Sequence, residues 1–161
     1  MTGPVSIFWF RRDLRLHDNA GLFKTLNSPW PVVPIFIFDR NILEELEDKK
    51  DRRLEFILEA LRKIHSRLIV SGSGMDIRYG DPLEIFSKLT TEYDVKAVYT
   101  NTDYEPYAIS RDGKISAFLE GKGIAFHSTK DQVIFEKNEV VRSEEHTSEL
   151  QSRQYLVCRL L

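Results

Sequence analysis

The sequence predicts a doubly wound α/β domain with a five-stranded parallel sheet and helices on both faces. Short, continuous apolar runs such as residues 5–10 and 31–38 are typical of strands that are buried on both faces. Segments with apolar residues at three- and four-residue spacing separate these runs. Five alternations of this kind favour a Rossmann-like sheet with right-handed crossovers, whose ligands bind beyond the carboxyl ends of the strands.

The first two strands are predicted at residues 5–10 and 31–38, with a short helix between them. Asp18 or Asn19 is expected to cap this helix, because their side-chain oxygens accept hydrogen bonds from the first backbone N–H groups. Pro34 lies inside the second run and cannot donate to a sheet ladder, which conflicts with a fully paired strand there.

An amphipathic helix is predicted over residues 51–68, and its apolar stripe consists of Leu54, Ile57, Leu58, Leu61, Ile64 and Leu68. A strand follows at residues 75–79. Asp81 and Pro82 then indicate a helix start, because aspartate caps helices and proline fits their first position. The last predicted elements are a strand at 95–101, a helix at 106–120 and a strand at 124–127.

Composition and charge exclude several classes of protein. A length of 161 residues fits one domain, and a net charge of −2 gives no overall basic field for a phosphate backbone. Cys158 is the only cysteine, so an internal disulfide is excluded. We expect a cytoplasmic protein without membrane contact, since neither a signal peptide nor an apolar stretch of ~20 residues is present. His17, His65 and His127 lack the spacing of a metal site.

Residues 142–161 do not continue the strand–helix pattern. The string RSEEHTSELQS, residues 142–152, resembles the translation of a common sequencing adapter. We therefore predict an α/β domain over residues 1–141 and a non-native, disordered tail over residues 142–161. The alternative is a genuine tail that docks as an amphipathic helix.

The most informative segment is WFRRDLRLHDN, residues 9–19, which follows the first strand directly. It brings Arg11, Arg12 and Arg15 together with two aspartates at the ligand-binding edge of the predicted sheet. Arginine binds carboxylates through its planar fork and stacks on flat rings. The segment therefore predicts either a salt-bridged turn or a ligand-binding edge.

This segment closely resembles the opening signature of the DNA photolyase/cryptochrome family. Three further stretches resemble family segments in the same order: YGDP at 79–82, NTDYEPY at 101–107 followed by Arg111-Asp112, and DQVIF at 131–135. The resemblance covers residues 4–141 and identifies the chain as the N-terminal, light-harvesting domain of such a protein. It implies that an all-helical domain, which binds FAD and in photolyases damaged DNA, is missing here.

The resemblance implies that the full-length parent is a photolyase, a lyase that repairs cyclobutane pyrimidine dimers with light. In such enzymes reduced FAD donates an electron to a flipped-out dimer and recovers it after the ring splits. We expect the fragment itself to be inactive, and monomeric or aggregation-prone because truncation exposes an apolar face. The alternatives are the same domain of a cryptochrome and a stand-alone nucleotide-binding module, although the latter would need a glycine-rich phosphate loop.

The resemblance also implies an antenna pigment at the strand ends. Folate-binding members have Asn-Glu where this chain has Tyr107-Ala108, so a flavin or deazaflavin is favoured over a folate, and an empty pocket remains an alternative. A flat pigment needs aromatic or arginine faces and a few polar groups at its rim. For Tyr107 and Phe56, packing between helix and sheet is an equal alternative. The candidate pigment-binding residues are Arg11, Asp13, Phe36, Phe38, Asp39, Arg52, Phe56, Asp103, Glu105 and Tyr107.

Overall fold

The computed structural model describes residues 3–44 and 52–131, and its centre is a five-stranded parallel sheet. The strands are β1 (Pro4–Phe10), β2 (Val32–Asp39), β3 (Asp76–Gly80), β4 (Asp94–Asn101) and β5 (Ala125–Thr129). The helices are α1 (Ala20–Leu26), α2 (Arg40–Glu44), α3 (Arg52–Val70), α4 (Pro82–Glu92) and α5 (Pro106–Glu120).

The strand order is β3-β2-β1-β4-β5, and every neighbouring pair is parallel. The chain adds β2 and β3 on one side of β1 and then adds β4 and β5 on the other. This order confirms the predicted doubly wound fold. It also places the topological switch point, where ligands bind in folds of this class, at the carboxyl ends of β1 and β4.

The strand β1 separates two apolar cores, one on each face of the sheet. Ile7 and Trp9 face α4 and α5, where the Trp9 ring meets Phe86 edge to face at 5.1 Å between centroids. Phe8 and Phe10 face α1 and α3 and meet each other at 4.6 Å. Because successive side chains of a strand point to opposite faces, a continuous apolar run fills both cores.

Both helix caps form where the sequence predicts them. The Asn19 side-chain oxygen accepts a hydrogen bond from Leu22 N–H at 3.0 Å, and α1 begins at the next residue. The Asp81 carboxylate accepts from the N–H groups of Leu83 and Glu84 at 2.9 and 3.3 Å, with proline at the first position of α4. Each cap satisfies backbone donors that the helix itself leaves without a partner.

Pro34 lies within β2 without disrupting the sheet. It aligns with Phe8 of β1, whereas the pairing of β2 with β3 begins only at Ile35. The first part of β2 therefore has a neighbour on one side alone, which is where a strand tolerates a residue without an N–H.

Two local features differ from the sequence prediction. Helix α2 has five residues and no buried side chain, so it has no apolar periodicity to reveal it. In α3 the predicted stripe is wrong at Leu58, which is 42% exposed. The inward positions are Ile57, Leu61, Ile64 and Leu68, a four-three-four spacing that leaves Leu58 beside the buried face.

No helix within residues 3–44 and 52–131 is long and apolar enough to cross a membrane.

Helix α1 approaches the sheet closely at Gly21. Its N–H donates to the side-chain oxygen of Asn101 in β4 at 2.9 Å. A Cβ built at Gly21 would collide with that same oxygen and would reach the Phe8 ring at 3.0 Å. The contact between α1 and the end of β4 therefore requires glycine.

We predict that Gly21→Ala lowers the free energy of unfolding by about 1–3 kcal/mol, because overpacking outweighs the better helix propensity of alanine. Gly113→Ala is the matched control, since Gly113 lies in α5 with no atom within 4 Å of the added Cβ. The control is expected to gain up to about 1 kcal/mol. Urea unfolding of both variants measures the difference, and equal gains would contradict the close contact at Gly21.

Candidate functional site

The Arg11 side chain joins the carboxyl ends of β1 and β4 at the switch point. Its Nε donates to Thr100 Oγ1 at 2.8 Å, and its Nη2 donates to the Asn101 carbonyl oxygen at 2.7 Å. Its Nη1 donates to both carboxylate oxygens of Asp112 in α5, at 3.0 and 2.7 Å. Only 7% of the side chain is exposed, and burial lowers the pKa of Arg11 while Asp112 opposes this. All three nitrogens of the guanidinium are thus bonded to the protein.

A second arginine lies on the same tryptophan. The guanidinium carbons of Arg11 and Arg111 lie 4.7 and 4.8 Å from the centroid of the Trp9 ring. Arg111 is 9% exposed and pairs with Asp112 at 3.2 Å and with Asp39 at 3.5 Å. Two buried positive charges remain close together because these two carboxylates and the ring face compensate them.

Asp39, at the end of β2, continues the polar contacts outward to Tyr107. The Tyr107 hydroxyl donates to Asp39 Oδ2 at 2.8 Å and accepts from Asn41 Nδ2 at 3.1 Å. Asn41 Nδ2 also donates to Asp81 Oδ2 at 3.0 Å. Burial and the neighbouring Asp39 raise the pKa of Tyr107, so its hydroxyl stays protonated and remains a donor. Tyr107 is nevertheless 40% exposed, and part of it faces solvent.

These contacts form one continuous set of polar side chains across the carboxyl edge of the sheet, from the start of α4 to the end of β4. We call it the edge network, and its members are Asp81, Asn41, Tyr107, Asp39, Arg111, Asp112, Arg11 and Thr100.

A separate cluster around Asp13 fills the other side of the switch point. The Asp13 carboxylate is buried and accepts from Asn19 Nδ2 at 3.1 Å, from Asn101 Nδ2 and from the Arg11 backbone N–H at 3.2 Å. Asn101 Nδ2 also donates to Asn19 Oδ1 at 2.9 Å. Asp13 therefore ties the loop after β1 to the first residues of α1 and to β4.

The two sets of contacts leave almost no empty space at the switch point. The cavity between Arg11, Asp13 and Asn101 has a volume of about 10 Å³. Pockets that enclose a small molecule occupy roughly 300–1,000 Å³. This volume is too small to hold a three-ring pigment between the ends of β1 and β4.

The structure brings some of the predicted pigment residues together. Asp39 and Tyr107 are hydrogen-bonded partners, and Arg11 belongs to the same network. Asp103 and Glu105, in the loop after β4, both pair with the exposed side chain of Arg12.

Other predicted residues lie elsewhere. Phe36 and Phe38 contact each other edge to face at 4.9 Å in the core under α3. Arg52 is exposed at the first position of α3. Phe56 is 73% exposed, so the alternative that it packs between helix and sheet is wrong. A pigment-binding role for any of the ten residues stays a prediction.

Sequence reasoning did not predict which residues of the edge network pair with each other. Arg11 and Asp112 are 101 positions apart, and no local pattern links them. The one available signal was the Arg111-Asp112 pair after the DYEPY stretch, which resembles a family segment. Asn41 carries no pattern at all, because it lies in the short helix α2 that periodicity does not reveal.

A larger groove lies on the α1/α3 side of the sheet. It has a volume of about 420 Å³ and runs between the loop residues 14–17 and the α3 side chains from Phe56 to Arg67. We call it the α3 groove.

In the described ranges, no three histidine, cysteine or acidic side chains converge as a metal site would require.

Comparison with known proteins places this geometry in a family. The family model described as DNA photolyase matches residues 6–154. This match runs past residue 141, and residues 132–161 lie outside the described part of the chain, so the proposed domain boundary and tail stay predictions.

Individual relatives agree with the family match. The deoxyribodipyrimidine photo-lyase of Synechococcus sp. is 32% identical over 141 residues, which cover 88% of this chain and 29% of the relative. The crystal structure of an archaeal photolyase from Sulfolobus tokodaii with two FAD molecules is 33% identical, with a TM-score of 0.78 over 86% of this chain and 32% of that one.

A cryptochrome structure from Synechocystis sp. has a TM-score of 0.74 over 81% of this chain and 28% of that chain, but at 19% identity it shows the shared fold alone. The chain therefore spans less than a third of the length of these relatives. With a matching family model over most of its length and relatives above 30% identity, the chain belongs to the DNA photolyase family.

Proposed function

We propose that this chain is the light-harvesting domain of a deoxyribodipyrimidine photolyase. The whole protein would be a lyase that splits cyclobutane pyrimidine dimers in damaged DNA, with FAD held by a helical domain outside this sequence. The identities of 32% to the deoxyribodipyrimidine photo-lyase of Synechococcus sp. and of 33% to an archaeal photolyase support a role in repair.

The proposed pigment is a flavin or a deazaflavin, and the observation that carries this proposal is the setting of Tyr107. Its hydroxyl is fixed between Asp39 and Asn41 while 40% of the residue remains exposed. A flat ring can stack on such a side chain while polar groups meet the pigment rim. Ala108 is 2% exposed and offers no polar group where folate-binding members have glutamate, which supports the same choice.

The chain's own residues would share two tasks. The pigment, when bound, supplies the absorption of light. Residues at the rim of the edge network would stack on it and orient it, and these are Asp39, Asp103, Glu105 and Tyr107. Phe38, Arg52 and Phe56 lie on the α3 side of the sheet and would contact a pigment only if it extended beyond the edge network. Residues beneath the rim would hold the strand ends in position, and these are Arg11, Asp13 and Phe36.

We predict that Tyr107→Ala weakens binding of FMN or FAD by about 5-fold, because a stacked aromatic pair contributes about 1 kcal/mol. Tyr107→Phe keeps the ring and should retain most of the affinity, which separates stacking from hydrogen bonding. Equilibrium dialysis of the full chain with each flavin measures the dissociation constants.

The control for this measurement is Phe23→Ala, since Phe23 is 70% exposed on α1, at the opposite face of the sheet from α5. Its flavin affinity should match that of the unmodified chain. Equal affinities for the control and for Tyr107→Ala would show that the flavin does not bind at the edge network.

We predict that Asp112→Asn lowers the free energy of unfolding by about 3 kcal/mol, because the buried guanidinium of Arg11 loses its charged partner. Asp94→Asn is the control, since Asp94 pairs with Lys96 at an exposed position and should cost less than about 1 kcal/mol. Guanidinium unfolding compares the two variants. Similar small losses would show that the edge network does not stabilise the switch point.

We predict that the purified chain does not repair cyclobutane dimers in ultraviolet-irradiated oligonucleotides under blue light, with or without added FAD and reductant. The physical reason is that the described residues offer no enclosed volume for FAD together with a flipped-out base. The assay measures the recovery of intact thymines by chromatography. Light-dependent repair by this chain alone would overturn the assignment of catalysis to another domain.

A further inference from the structure

The described part of the chain ends beside the α3 groove. The last described residue, Asp131, has a side chain that is 4% exposed and pairs with Arg15 Nη2 at 2.5 Å. Its other oxygen accepts from the Ala20 backbone N–H at 3.1 Å. Arg15 is one of the residues that line the α3 groove. The chain therefore leaves β5, crosses the amino end of α1 and reaches the edge of the groove at a fixed point.

The α3 groove has an apolar lining. Leu14 and Leu16 contribute from the loop after β1, and Ile64 contributes from α3. Phe56 lies at the groove while 73% of it is exposed. An exposed phenylalanine beside other apolar side chains marks a surface that a further apolar segment can cover.

The rim of the groove is mainly basic. Arg15, Lys63 and Arg67 carry three positive charges. Asp131 compensates Arg15 at 2.5 Å and Glu59 compensates Lys63 at 2.6 Å, so the charge that these two pairs leave at the rim is that of Arg67. An occupant with apolar side chains and a negative net charge would match both the lining and the rim.

The sequence that follows Asp131 has this character. Residues 132–141 read QVIFEKNEVV, with three consecutive apolar side chains and then two glutamates against one lysine. The length also agrees. Phe56 and Arg67 are eleven positions apart in α3, which is about 16 Å along the helix axis. Five extended residues after Asp131 span about 17 Å.

We propose that residues 132–136 of this chain dock in the α3 groove, with their apolar side chains against Phe56 and Ile64 and with Glu136 at the basic rim. This assigns the groove to the chain's own continuation. It goes beyond the light-harvesting function and does not depend on it, because no residue of the edge network lines the α3 groove. The docked segment would fix the direction in which the polypeptide leaves the α/β domain.

Disulfide trapping in the full chain tests the proposal. In a Cys158→Ser background, Ala60→Cys places a thiol at the middle of the groove, and it is combined in turn with cysteine at Val133, Ile134, Phe135 or Glu136. At least one pair is expected to cross-link within a monomer under mild oxidation, because a disulfide needs Cβ atoms about 4 Å apart. Mass spectrometry of tryptic peptides identifies the bond.

The matched control replaces Ala60→Cys with Ser116→Cys, because both positions are half-buried and Ser116 lies on α5 at the other face of the sheet. A charge test adds Arg67→Glu, which should slow the cross-link about 2- to 5-fold, whereas Arg62→Glu on the same helix outside the groove should not. Equal trapping at positions 60 and 116, or no trapping at position 60, would overturn the proposal. Cross-links formed only between two molecules would also overturn it and would assign the groove to a second copy.

Discussion

The buried guanidinium of Arg11 is the contact on which the arrangement of this domain depends. The strands β1 and β4 are parallel neighbours whose connections run to opposite sides of the sheet, and a doubly wound sheet leaves a crevice at such a point. Arg11 closes this crevice by bonding to Thr100, to the Asn101 carbonyl and to Asp112. A charge this deeply buried is tolerated only when it is fully paired, so the surrounding carboxylates and the Trp9 ring follow from its presence.

The closure of the crevice decides between two interpretations of the arginine- and aspartate-rich turn after β1. The sequence offered two interpretations, a salt-bridged turn and a ligand-binding edge. The structure shows that Arg11 and Asp13 are bonded to the protein, while the accessible part of the same polar set is Tyr107 with Asp39 behind it. The buried members bond the ends of β1 and β4 to α5, and the outer member Tyr107 remains accessible to solvent.

Local patterns predicted the fold well, because each strand, cap and long helix is specified by neighbouring residues. The run at β1 and the caps Asn19 and Asp81 are examples in which a few adjacent side chains determine the conformation. Leu58 and α2 show the limits of this reasoning. An apolar stripe predicted from hydrophobicity also includes side chains beside the buried face, such as Leu58. The five-residue helix α2 is too short to show a helical period.

The candidate site was less predictable because its contacts join distant parts of the chain. The family resemblance pointed to the carboxyl edge of the sheet, yet the pairs Arg11–Asp112 and Asp39–Tyr107 span 101 and 68 positions. Whether an arginine binds a ligand or a carboxylate of its own chain depends on such partners. Residue type and spacing alone leave that choice open, as the exposed position of Phe56 also illustrates.

The position of Trp9 has a consequence for how this domain can be observed. The chain has two tryptophans, and Trp9 is 2% exposed with two guanidinium groups on its ring, whereas Trp30 lies at the more accessible start of β2. A buried indole beside charged groups emits at a different wavelength from one that contacts solvent. The intrinsic emission of Trp9 is therefore a built-in optical probe of the packing at the sheet's reversal point, and it needs no added label.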